Sequence, residues 1–184
     1  MKPFRNLPNN SAVRLNLAKG VYTKIALFIS LILATSSASA GEPVLSATGY
    51  GAIKFGTKLS DVEKKVSEHV APPVDEDDAA CRYVQLKAYP EAKFMVEDGV
   101  ITRADVSEKA KNNLHISVGT PLAKVRAGHP TAQLERHQYD PNGHYVIFKS
   151  ANGKTAIVME ESEGKIVDIR GGLEPSVEFV EGCL

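Results

Sequence analysis

The chain has 184 residues with 22 basic and 22 acidic side chains, and it contains no tryptophan. Lys2, Arg5, Arg14, Lys19 and Lys24 sit in the first forty residues, which carry no acid, so the remainder holds all 22 acidic residues and is net negative. That balance argues against nucleic acid as a partner, because its binders need clustered positive charge, and the length suits one domain with one hydrophobic core.

Residues 1–40 read as a signal peptide. A basic region precedes the apolar run "IALFISLILA" (25–34), and "TSSASA" ends in Ala38-Ser39-Ala40, an A-x-A-like cleavage site. The apolar run is too short for a bilayer span, which needs about 20 residues. The mature protein is expected to begin near Gly41, in the periplasm or outside the cell, with no transmembrane segment. No cysteine lies near Gly41 to carry a lipid anchor.

Two stretches then share a phrase. "IKFGTKLSDV" (53–62) and "ISVGTPLAKV" (116–125) agree at Ile53/Ile116, Gly56/Gly119, Thr57/Thr120, Leu59/Leu122 and Val62/Val125, all at one shift. Each glycine precedes a helix start. Thr120-Pro121 offers an N-cap hydroxyl and a proline at the first helical position, and Thr57, or Ser60 with Glu63, offers the same in the first copy. Leu59, Val62 and Val66 recur at helical spacing and predict an amphipathic helix of about three turns. The second helix is shorter, over 121–127, and ends at Gly128-His129-Pro130. His69 and His129 fall where an imidazole can complete a helix C-terminus.

Strands follow each helix. In the first half the acidic loop "APPVDEDDAA" (71–80) leads to "CRYVQLKAY", "AKFMVE", the turn Asp98-Gly99 and "VITRADV". In the second half come "AQLERHQY", the turn Asp140-Pro141-Asn142-Gly143, "HYVIFKS", "KTAIVME" and "KIVDIRG", β-rich runs separated by short polar turns. The expected fold class is therefore α+β: two tandem helix-plus-antiparallel-meander units, about 48–110 and 111–172, sharing one sheet and core, with a C-terminal tail. Each unit alone is marginal, and two can share a core.

Cys81 and Cys183 are the two cysteines of the chain, and an even count in an oxidising compartment predicts a disulfide between them. The loop it closes sets a ceiling of roughly 4.7 kcal/mol on its stabilisation. Two free buried thiols are the alternative.

An Ile-x-x-Gly-Thr-x-x-x-x-Val phrase followed by a short helix and antiparallel strands resembles the BamE/SmpA outer-membrane lipoprotein unit. In tandem it is similar to the β-lactamase inhibitory proteins. The resemblance spans most of 48–172 and implies non-enzymatic protein binding, in envelope assembly or in inhibition of a secreted enzyme. The chain lacks the lipobox cysteine of the first group and has few aromatic residues for a binding hot spot of the second.

Candidate chemistry is sparse. His137, Asp140 and His144 could offer two imidazoles and a carboxylate to a metal, but they flank a turn that turn formation alone explains. No Gly-x-Ser-x-Gly elbow occurs, and Gly171-Gly172 follows a strand without opening a phosphate-binding helix. No cofactor is implied. Strand alternation places Val100, Thr102, Ala104 and Val106 inward and Ile101, Arg103 and Asp105 outward. In the second half it places Val167 and Ile169 inward and Asp168 and Arg170 outward. Arg103, Asp105, Asp168 and Arg170 thus form a candidate partner-binding face, with arginine as anchor. The functional expectation is an exported, non-enzymatic binding protein acting on an envelope or secreted partner protein. The alternatives are a small periplasmic hydrolase with a dispersed site and a small-ligand or glycan binder.

Overall fold

A computed structural model describes residues 41–183; the signal peptide expected over 1–40 lies outside them. In chain order the elements are β1 (Val44–Ser46), β2 (Gly49–Tyr50), β3 (Ile53–Lys54), α1 (Leu59–Val66), α2 (Glu76–Ala80), β4 (Cys81–Gln85), β5 (Ala92–Glu97) and β6 (Val100–Val106). They continue with β7 (Lys111–Asn112), α3 (Leu122–Gly128), β8 (Gln133–Arg136), β9 (His144–Lys149), β10 (Thr155–Ser162), β11 (Lys165–Leu173) and a 3-10 turn at Ser176–Glu178. Strands β3-β2-β1-β7 make a four-stranded sheet, and β4-β5-β6-β11-β10-β9-β8 make a seven-stranded one.

The expected α+β class of two helix-plus-meander units is corrected by this architecture: the described residues are mostly β, with two sheets and three short α-helices among them. The helices are too small to form a layer. Helix α1 buries Leu59 and Val62, α3 buries Val125, and α2 buries nothing. The small sheet does what the helices cannot. It brings Leu45, Tyr50 and Ile53 against Phe94, Ile101 and Ile169 of the large sheet, and Tyr50, Tyr89 and Phe94 pack ring on ring at 5.8–6.3 Å. Strands of two or three residues have no readable period, so this sheet left no pattern in the sequence.

The repeated phrase makes the same three backbone bonds in each half. Gly56 N–H donates to Ile101 O (2.8 Å), Ile101 N–H to Thr57 O (2.9 Å) and Leu59 N–H to Gly99 O (2.8 Å). Gly119 to Ile166 O (2.7 Å), Ile166 to Thr120 O (3.0 Å) and Leu122 to Gly164 O (2.9 Å) are the counterparts. Both phrase glycines need φ near the left-handed region, +89° at Gly56 and +85° at Gly119, which a side chain would strain. The threonines are not the helix caps that spacing predicted. Lys58 and Pro121 occupy the N-cap positions, and the Thr120 hydroxyl instead accepts from Ser117 N–H at 3.2 Å.

Both halves also bulge at matching places. Met95 pairs with Arg103 and Val96 with Ile101, leaving Thr102 as the extra residue; Glu160 pairs with Asp168 and Glu161 with Ile166, leaving Val167 extra. A bulge breaks period-two alternation. Hence Ile101, not Thr102, joins Ala104 in the core, and Ile166 is buried while Val167, expected inward, is 49% exposed. Gly171 lies where β1 crosses β11: a Cβ there would stand 3.0 Å from the Leu45 side chain. At Gly172 a Cβ would instead meet β6, 2.6 Å from Thr102 O and 3.0 Å from Arg103 Cα, so each glycine of the pair allows a different close approach.

The cysteine expectation holds. Cys81 and Cys183 form a disulfide with Cα atoms 5.3 Å apart, closing a loop of 102 residues. It fixes the last described residue to the first residue of β4.

Candidate functional site

The structure does bring Arg103, Asp105, Asp168 and Arg170 together. Strands β6 and β11 are neighbours, with Arg170 opposite Asp105 and Gly172 opposite Arg103, so the four side chains share the outer face of the large sheet. The Arg103 Nε donates to Asp105 Oδ1 at 2.7 Å, and Arg170 pairs with Glu160 and, at 3.7 Å, with Asp168. Burial, then the neighbouring Asp105 and Glu160 carboxylates, raise the Asp168 carboxyl above its ordinary value. Burial and the Asp105 carboxylate push the Tyr83 phenol beside them up to about 12.

The two arginines of this face are not open to solvent, which corrects their reading as surface residues: Arg103 is 4% and Arg170 1% exposed, while the Asp168 side chain stays partly exposed. The chain beyond β11 folds back across the face. Arg103 Nη1 donates to Phe179 O at 2.5 Å and more weakly to Ser176 O at 3.4 Å, while Arg170 Nε donates to Val177 O at 2.8 Å. Arg170 also lies over the Tyr145 ring, 5.7 Å from its centre. Val177 is fully buried against Tyr145, Ile147, Ala156 and Val158, a second apolar cluster on the opposite side of the sheet from the main core. Strand alternation shows which residues point outward but not what lies over them. The one signal for a cover was Cys183, which had to return to Cys81.

The histidine turn is committed to its own geometry. His137 Nδ1 accepts from the N–H groups of Tyr139 (3.1 Å) and Asp140 (3.0 Å), its ring stacks on Tyr145 at 4.6 Å, and Nε2 faces Glu160 at 3.5 Å. Asp140 accepts from the Ser162 hydroxyl and from Asn142 N–H, the first of which chiefly lowers its carboxyl pKa. His144 Nδ1 meets the buried Glu161 carboxylate at 2.7 Å. The structure thus directs the three expected metal candidates to separate partners, and among the described residues no group of three His, Cys, Asp or Glu side chains is placed to hold a metal. His129, expected to cap α3 through its ring, caps it through its backbone N–H to Val125 O (2.8 Å), and its ring packs edge-on to Phe148.

A different surface is open. Strand β8 is an edge of the large sheet, and all four of its residues are exposed. Beside it a groove of about 460 Å³ runs between α3 and the sheet, lined by Ala127, Ala132, Leu134 and Val146 together with Arg126 and His129. Leu134 stands opposite Val146 and is 40% exposed. Sequence reading found the strand but gave no sign that its outer edge would be unpaired.

No family model, curated protein or solved structure matches this chain. No helix among the described residues is long and apolar enough to cross a membrane.

Proposed function

We propose that the chain is an exported, non-enzymatic protein that binds an envelope or secreted partner protein, as an inhibitor or assembly factor does, and that it engages the partner along β8. The observation that carries this reading is the uncovered edge of β8 beside an apolar groove. A free edge presents unpaired N–H and C=O groups to which an extended segment can add as a further strand. Leu134 supplies an apolar contact, and Arg126, which lines the groove, favours a segment bearing carboxylates. The Cys81–Cys183 bond supports an oxidising compartment, and the resemblance to BamE/SmpA-like proteins supports the class of activity.

The test is site-specific photo-crosslinking of the mature protein in envelope and secreted extracts. A crosslinker at Leu134 is expected to capture one discrete protein, and one at Val74, exposed in the linker before the other edge strand β4, is not. Arg126→Glu in the Leu134-labelled protein is expected to abolish the adduct. Equal labelling from both positions, or an adduct indifferent to Arg126→Glu, overturns the reading.

A further inference from the structure

Residues 174–183 lie across the outer face of the large sheet without joining it as a strand. Among the described residues, the segment's backbone donates to the rest of the protein through Glu174 N–H to Lys154 O (3.0 Å); the Glu178 and Phe179 N–H groups close its own 3-10 turn. Its other ties are side-chain contacts. Three of its carbonyls meet Arg103 and Arg170, Lys149 reaches Glu174 (3.2 Å) and Glu178 (2.9 Å), and the Ser176 hydroxyl donates to Glu97. The apolar share is small: Val177, fully buried, and Val180, half-buried, in a cluster separate from the main core. The far end is tied down covalently, and both Cys81 and Cys183 are half-exposed, so a small thiol can reach the sulfurs.

The segment is thus held by arginine–carbonyl bonds, the Lys149 pairs, the Ser176–Glu97 and Tyr139–Glu181 contacts, two valines and one covalent latch. With a single backbone-to-backbone bond to the rest of the protein among the described residues, it is separable from the fold beneath it. The surface below combines Arg103 and Arg170, whose guanidinium groups water hydrates well, with the small apolar patch of Tyr145, Ile147, Ala156 and Val158 that receives Val177. Main-chain carbonyls also carry no sequence identity, so the seat is not restricted to this one occupant.

We propose that the arginine seat is a second polypeptide-binding site. It takes the main-chain carbonyls of an extended segment around a small apolar side chain, residues 174–183 fill it while the disulfide is intact, and a dithiol reductant empties it. In that step a thiolate of the dithiol attacks one sulfur of the Cys81–Cys183 bond and forms a mixed disulfide, releasing the other cysteine. The second thiol of the reductant then closes its own disulfide. Two electrons and two protons pass from the dithiol to the cystine, leaving two protein thiols. This site does not rest on the proposed use of the β8 edge and stands or falls without it.

Two measurements on the full chain test the proposal. Hydrogen exchange before and after treatment with dithiothreitol is expected to show the Glu174, Glu178 and Phe179 amides losing protection by about tenfold or more, while β10 and β11 keep theirs. Unchanged protection of the segment, or loss throughout the sheet, overturns the latch. For the seat, the Cys183→Ser protein is offered a synthetic peptide of residues 174–184 whose cysteine is activated as a thiopyridine disulfide. Coupling to Cys81 is expected to run about tenfold faster than with a peptide carrying Val177→Asp, which places a charge in the apolar position. Equal rates for the two peptides overturn the site.

Discussion

Strands β4 and β8 are the two edges of one sheet, and each follows a helix begun by the same ten-residue phrase. They differ in the linker between helix and strand. Before β8 it is the turn 129–132, closed by Ala132 N–H to His129 O, and it leaves the strand bare. Before β4 it runs over 67–80, contains the short helix α2, and is tied in repeatedly. Glu63 accepts from Val70 N–H, Glu68 from Lys87 N–H, and Arg82 donates to Ala71 O. The disulfide then adds the chain's end at Cys81. Two similar beginnings thus produce one dressed edge and one open edge, and the open one is the edge proposed above for partner binding.

The largest expected effect attacks the segment that leads to the dressed edge. Arg170→Ala leaves the Glu160 carboxylate and the Val177 carbonyl without their donor, and breaking a buried pair in this way costs about 3–5 kcal/mol. Chemical denaturation is the measurement, and a change under about 1 kcal/mol would return the arginines to the class of surface residues. Next comes Cys183→Ser, expected to cost about 2–4 kcal/mol, within the loop-closure ceiling. Thermal unfolding under oxidising conditions measures it, and the same variant in reducing buffer should show no difference from the reduced wild type.

A smaller effect is expected from pH beneath the same segment. The folded chain holds the Asp168 proton more tightly than the unfolded chain, so ionising Asp168 as pH rises through its raised pKa subtracts stability. Asp168→Asn is therefore expected to be more stable than the wild type at neutral pH, with the difference fading as pH falls below the ordinary value of 3.8. A gap that widens on acidification would reverse the sign. The smallest stability effect belongs to the open edge: Leu134→Lys should shift stability by under about 0.5 kcal/mol, as exposed positions do, yet reduce partner capture. Loss of stability on the scale of a core substitution would mean that β8 is not free.

The sequence was legible where local rules act alone. "AKFMVE" and "VITRADV" coincide with β5 and β6, and the Asp98-Gly99 and Glu163-Gly164 turns adopt the positive φ that tight hairpins require. It was illegible where distant parts decide. The α+β expectation failed because helices of eight, five and seven residues cannot cover a sheet, and the strands that do cover it are too short to show alternation. The inward and outward assignment slipped at Thr102 and Val167 because a bulge inserts one residue and shifts the pattern on one side of it. The arginine face was placed on the correct side of the sheet, but periodicity holds no information about a cover that arrives from far along the chain.

The bond between Cys81 and Cys183 has a mechanical consequence. It joins the first residue of β4 to a point beyond β11, so every strand of the large sheet lies inside one covalent circle. Tension applied between Gly41 and Cys183 passes along residues 41–81 and through the sulfur atoms, bypassing the sheet. Stretching the oxidised protein should therefore peel β1 from β7, unravel β2, β3, α1 and α2, and stop once residues 41–81 are extended to about 140 Å, with the seven strands unloaded. Cutting the bond puts the full length of the sheet into the line of force.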